Sequence, residues 1–152
     1  VESLTISKQL PNLVFIDIDV YEKIIVISDL RETQPKQVVL YKNLYTELSE
    51  SNNQLPRLTV TNGPIPDGFY SEIISLILTV NKYNLSIQDL SIIYNGSELT
   101  GSYKNTLINI GSPIDLSKKG SVVGYILEEG NCDGEVTIID SNSEDIETLL
   151  NC

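Results

Sequence analysis

Apolar and polar residues alternate most regularly across Leu13 to Tyr21. Val14, Ile16, Ile18 and Val20 fall on one side and Phe15, Asp17, Asp19 and Tyr21 on the other. A period of two with carboxylates on one side predicts a half-buried antiparallel strand whose wetted face carries Asp17 and Asp19. Leu4 to Ile6 is a short apolar start, separated from this strand by the break at Leu10-Pro11-Asn12. Ile24 to Ile27 follows the charged Glu22-Lys23 closely enough to pair back onto Leu13 to Tyr21 as a hairpin. Gln37 to Tyr45 predicts a further strand, Glu47 to Pro56 an exposed loop rich in Ser, Asn and Gln, and Arg57 to Thr61 a short strand ended by Asn62-Gly63.

The longest apolar segment lies within Gly63 to Val80. Pro64 and Pro66 hold its lead extended until Asp67-Gly68 turns the chain. As a strand, the segment places Tyr70, Glu72, Ile74, Leu76, Leu78 and Val80 on one face and Phe69, Ile73 and Ile77 on the other. As a helix, it gathers Phe69, Ile73, Leu76, Ile77 and Val80 into one stripe at spacings of three and four. Periodicity allows both, and the Ile- and Leu-rich composition favours the strand.

Farther on, Leu85 to Tyr94 and Ser97 to Tyr103 flank Asn95-Gly96, a two-residue hairpin signal. Thr106 to Ile110 predicts another strand. Ser121 to Leu127 predicts one interrupted at Gly124 by a bulge, with Glu135 to Asp140 returning from the acidic loop between them. Ser141 to Glu144 matches a capping box, and Ile146, Leu149 and Leu150 would make a short amphipathic helix behind it. The pattern therefore predicts a mainly β fold, an antiparallel β-sandwich with a short C-terminal helix. A helix over residues 69–80 would make it α+β instead. Residues 1–152 read as a single domain, with the loop 47–56 as the place for a sub-boundary.

A chain of 152 residues suits one ordinary domain. Its formal net charge of −11 repels phosphate backbones, and Lys118-Lys119 is the only basic pair, so nucleic acid is not an expected partner. The absence of His removes the commonest general base and metal ligand, and with them Ser-His-Asp and Cys-His catalysis. The uncharged apolar run after Glu72 falls well short of the roughly 20 residues that span a bilayer, and Val1-Glu2-Ser3 lacks the cationic start of a signal peptide. No membrane partner is expected. Cys132 and Cys152 allow one bridge clipping the C-terminus to a loop, but two free thiols in a reducing compartment are the plainer reading.

The sharpest local motif is Glu129-Gly130-Asn131-Cys132-Asp133-Gly134-Glu135-Val136, with oxygen side chains at alternate positions around glycines. It resembles the calcium loop of EF-hand proteins, and the candidate ligands are Glu129, Asn131, Asp133 and Asp140. Glu129 stands where that loop starts with Asp, Asp140 stands where it closes with Glu, and the flanks read as strands. A solvated hairpin loop is the expected role, with no metal or other cofactor. Cys132 sits among carboxylates, which disfavour a thiolate, and no phosphate-cradling Gly-x-x-x-x-Gly-Lys occurs. No catalytic residue is expected. Asn84-Leu85-Ser86 and Asn95-Gly96-Ser97 are glycosylation sequons that count only in a secretory pathway. The eight tyrosines suit strands, interfaces and sugar-binding grooves alike.

Leu4-Thr5-Ile6, Leu13 to Asp19 with a Tyr soon after, and Pro66-Asp67-Gly68-Phe69-Tyr70 opening an apolar run together resemble small β-sandwich structural proteins of tailed bacteriophage virions. The resemblance is greatest to those of phages infecting Bacteroidetes, whose Ile-, Asn- and Lys-rich composition is shared. It covers at most residues 4–80. It implies a non-enzymatic tail, connector or capsid-decorating protein located in the virion, with other virion proteins as partners in a homo- or hetero-oligomeric assembly. The reading from a different class is an extracellular or cell-surface β-sandwich that binds a ligand or carbohydrate.

Overall fold

Three pairs of neighbouring strands run parallel, and those pairs decide the architecture. A computed structural model describes residues 2–9, 13–49, 54–130, 132–139 and 145–152. Its elements in chain order are β1 (Ser3–Gln9), β2 (Leu13–Asp19), β3 (Lys23–Asp29), β4 (Gln37–Tyr41), β5 (Thr46–Leu48), β6 (Arg57–Val60), α1 (Phe69–Val80), β7 (Leu90–Tyr94), β8 (Leu99–Tyr103), β9 (Thr106–Gly111), α2 (Leu116–Glu129), β10 (Glu135–Ile139) and β11 (Glu147–Asn151). β1 and β2 form a two-stranded ribbon of their own. The other strands make one nine-stranded mixed sheet in the order β11-β10-β9-β8-β7-β6-β3-β4-β5.

β6 and β7 pair in parallel, as do β9 and β10, so each pair needs a long crossover, supplied by α1 and α2. Both crossovers step the same way across the sheet from strands that point the same way, and such connections are right-handed. The two helices consequently share one face of the sheet. Beneath them Leu58, Val60, Leu90, Ile92, Tyr94, Leu99, Tyr103, Ile108, Ile110 and Ile138 meet Phe69, Ile73, Ile77, Leu116, Val123 and Leu127 in one buried core. The alternate positions, among them Ser91, Ile93, Ser102, Leu107 and Asn109, stay exposed or half-exposed on the opposite face.

The helices pack parallel and close. Gly120 lies against Leu76 and Thr79, where an added Cβ would come within 3.1 Å of the Leu76 carbonyl oxygen, and Gly124 lies on the ring of Tyr83. Their ends are tied as well. Glu72 of α1 accepts the Leu116 N–H at the start of α2 (2.9 Å), and Glu128 near the end of α2 accepts the N–H of Asn84, beyond α1 (2.9 Å).

The sequence-based expectations need correction at several elements. The fold is mainly β, but the sheet is single rather than a sandwich. Residues 69–80 are α1, a helix whose Phe69, Ile73, Leu76, Ile77 and Val80 are all buried. Local β-propensity yields there because parallel β6 and β7 cannot be joined by a tight turn, and Ser75 and Thr79 satisfy their hydroxyls on carbonyls one turn back within the helix. The strand expected over Ser121 to Leu127 is part of α2, with Leu116, Gly120, Val123 and Leu127 on its buried side. Gly124 is thus a helix-contact glycine and not a bulge. β10 accordingly pairs in parallel with β9 rather than returning antiparallel to that segment.

At the C-terminus a strand replaces the expected helix, because β11 pairs antiparallel with β10 and sets Asn151 opposite Glu135. The capping box at Ser141 to Glu144 lies outside the described residues. Cys132 and Cys152 are joined in a disulfide, not free, with Cα atoms 4.9 Å apart. The β10–β11 register brings the C-terminus back to the start of β10, and Gly134 leaves the room: a Cβ there would sit 2.3 Å from the Asn151 carbonyl oxygen.

Candidate functional site: an uncovered apolar ribbon

Directly opposed residues of an antiparallel pair point to the same face, as do alternate residues along each strand. In the β1–β2 ribbon Leu4 stands opposite Ile18 and Ile6 opposite Ile16, while Thr5 stands opposite Asp17 and Ser3 opposite Asp19. One face of the ribbon is therefore an aliphatic row of Leu4, Ile6, Val14, Ile16 and Ile18, continued by Val20. Each of these side chains is between 52% and 69% exposed. The alternation correctly sorts the residues by side, but the side expected to be half-buried is open to solvent. β2 also pairs with β1 and not with β3, whose neighbours are β4 and β6. A hairpin signal was available, since the break at Leu10-Pro11-Asn12 separates two apolar runs.

At the root of the ribbon, Val20, Tyr21, Tyr41, Asn43 and Tyr45 line an open cavity of about 340 Å³. The Tyr41 and Tyr45 rings lie 5.7 Å apart, across the turn that follows β4. Tyr41 donates its hydroxyl to Glu47 Oε2 at 2.6 Å, and that bond holds the phenol above its ordinary pKa. Lys23 Nζ sits 5.9 Å from the Tyr41 ring centroid.

The main polar cluster lies elsewhere, at the C-terminal ends of the parallel strands β3, β6 and β7, where α/β sheets commonly bind ligands. A cavity of about 510 Å³ there is lined by Asp29, Glu32, Lys36, Thr46 and Tyr70. Arg31 grips Asp29 through Nε (2.8 Å) and Nη2 (2.6 Å), and its Nη1 donates to the Gly63 carbonyl (2.9 Å). Three of its five N–H donors are used this way, and they clamp the end of β3 to the Asn62-Gly63 turn at the surface. The Asp29 carboxyl is pulled below its usual range by the Arg31 hydrogen bond. Tyr70 is pushed up by burial and then by the Asp29 charge. The two groups are thus shifted in opposite directions from their ordinary values.

Glu129 ends α2, Gly130 follows in the left-handed conformation, and Asp133 precedes β10 behind the bridged Cys132. Asn131 and Asp140 lie outside the described residues. Among the described residues no group of three or more His, Cys, Asp and Glu side chains is arranged to hold a metal. Asn95 of the second sequon uses its side-chain oxygen to accept from the Ser97 and Glu98 N–H groups, which builds the β7–β8 turn. Among the described residues no helix is long and apolar enough to cross a membrane. No protein-family model matches the chain, and no curated protein is significantly similar to it in sequence.

Proposed function

We propose that this protein is a non-enzymatic assembly component whose work is done at protein–protein interfaces. The observation that carries this reading is the ribbon. Six aliphatic side chains, each more than half exposed, share one face of the ribbon and its continuation, with no second layer over it among the described residues. Isolated two-stranded ribbons are marginal in water, and apolar faces of this kind mark surfaces that other proteins cover. The polar cluster supports the same reading from the other side, since Arg31 there clamps Asp29 to the Gly63 carbonyl.

The setting we propose is the tailed-phage virion, as a tail, connector or capsid-decorating protein. A disulfide suits such an exterior, oxidising location. The β-sandwich that accompanied the phage resemblance is not the architecture found, so the ribbon rather than the resemblance bears the weight. Mass spectrometry of purified particles tests the setting. The chain should appear at a fixed stoichiometry, and absence from particles together with monomeric behaviour in solution would remove the proposal.

A second reading, a carbohydrate- or ligand-binding module, draws on the cavity of Tyr21, Tyr41, Asn43 and Tyr45, where exposed rings and an amide face solvent together. Retardation on a glycan column that is lost in Tyr45→Ala would favour it.

A further inference from the structure

We infer that the Cys132–Cys152 disulfide is a thiol-operated latch: reduction by a dithiol frees β11 from the margin of the large sheet, and reoxidation pins it back. The inference goes beyond the assembly reading and does not rest on it, because it needs no partner chain.

Strand β11 adds little to the core. All five of its residues are exposed, Leu149 at 61% and Leu150 at 52%. Leu150 and Thr148 stand opposite Val136 and Ile138, which are 1% and 5% exposed, so the buried row of the sheet stops at β10. The main ties of β11 are its backbone pairing to β10, the half-buried Ile146 just before it, and the bridge. Pairing by exposed residues returns little more than the backbone entropy that ordering them costs. The bridge decides the balance: closing a loop between positions 20 residues apart favours the paired state on the order of a hundredfold.

The two ends of the bridge are held differently. The Cys132 carbonyl accepts the Thr106 hydroxyl (2.6 Å) and the Gly134 carbonyl accepts the Leu107 N–H (2.8 Å), so β9 fixes the Cys132 loop whether or not the bridge is closed. Cys152 directly follows β11 and moves with it. Opening therefore displaces β11 and leaves β10 in place. It uncovers the N–H and C=O groups of β10 that β11 satisfies, and an inner strand becomes an edge.

The bridge is also within reach of a thiol. Cys152 is exposed, and Cys132, itself 6% exposed, forms part of the wall of an open cavity of about 320 Å³ together with Tyr103, Lys104, Thr106 and Asp133. The first thiolate of the dithiol attacks Cys152 Sγ. A mixed disulfide forms, and Cys132 Sγ leaves with the electron pair of the broken S–S bond and takes up a proton. The second thiolate then attacks the reductant's own sulfur in the mixed disulfide and expels Cys152 as a thiol. The dithiol is oxidised to its disulfide, and the protein gains two electrons and two protons.

The test is native-state hydrogen exchange on the full chain, with and without millimolar dithiothreitol and without denaturant, alongside iodoacetamide labelling read by mass. In reductant both cysteines should alkylate, and the amides of Glu147 to Asn151 should lose protection on the order of a hundredfold while those of β6 and β7 keep theirs. Oxidised dithiothreitol, added to unlabelled chain after reduction, should restore the protection. The double variant Cys132→Ser/Cys152→Ser should show the open pattern from the start and give no response to dithiothreitol. A bridge that yields only in denaturant overturns the latch, and so does unchanged protection of β11 in the reduced chain or in the double variant. Protection lost equally across β6 and β7, or not regained on reoxidation, overturns it as well.

Discussion

The ribbon and the large sheet are written in the same alphabet and end in opposite conditions. In β6 to β10 the alternating aliphatics lie under α1 and α2, and Leu58, Ile92 and Ile108 are at most 1% exposed. In β1 and β2 the same alternation leaves Ile6 and Ile16 at 63% and 60%. The difference is the second layer. The large sheet acquires one because parallel neighbours force helical crossovers over a single face, whereas the ribbon's antiparallel strands need no crossover and acquire no cover among the described residues. Alternation thus reports which residues share a side. Cover comes from connectivity, and a side without cover within the chain is available for contacts outside it.

The largest effect that would sharpen this contrast is Phe69→Ala. Phe69 is 1% exposed between the sheet and the ring of Tyr94, 4.7 Å away. Its truncation should cost about 3–5 kcal/mol, read as a shift of the denaturant midpoint. Next is the C-terminal clip. Cys152→Ser opens a bridge between positions 20 residues apart and should cost about 3 kcal/mol on loop-entropy grounds. Hydrogen exchange should locate the loss at β11 and not at β6 or β7. A loss spread over the whole sheet would mean that β11 is integral to the core and not an edge held by its clip.

Gly63→Ala should cost about 2 kcal/mol in the same titration. The position has φ +73°, and an added Cβ would sit 2.3 Å from Gly96 Cα, where the turns after β6 and β7 touch.

Asp29→Asn should be smaller, a fall in melting temperature of no more than about 3 °C. Its size depends on pH. The folded-state pKa of Asp29 is lowered, so the contribution is complete above the ordinary value of 3.8 and fades as pH falls through the depressed one. Wild type and variant should therefore converge in acid. The smallest stability effect belongs to the ribbon: Ile16→Ala should move the body by less than about 0.5 kcal/mol. A loss comparable to that of Phe69→Ala would erase the distinction between the two regions.

Much of this was legible in the chain. The positions of β2, β3, β4, β6, β7, β8 and β9 and the Asn95-Gly96 hairpin follow from period two and turn chemistry, which are local properties, whereas β5 falls partly in the stretch expected as a loop. The aliphatic row of the ribbon was legible residue by residue. α2 was partly legible, since Leu116, Gly120, Val123 and Leu127 recur at spacings of four, three and four, a rhythm hidden when the segment is read from Ser121.

What the sequence determined by itself is the sidedness of each strand, the acidic surface and the lack of His-dependent chemistry, because these depend on residue type and short spacing alone. Strand order, the parallel pairs, the helical state of residues 69–80, the meeting of Cys132 with Cys152 and the exposure of the ribbon were decided by the tertiary structure. Each of these depends on which distant segment arrives as a neighbour. Pairing and cover are contacts between parts of the chain far apart in sequence, and no local pattern encodes them.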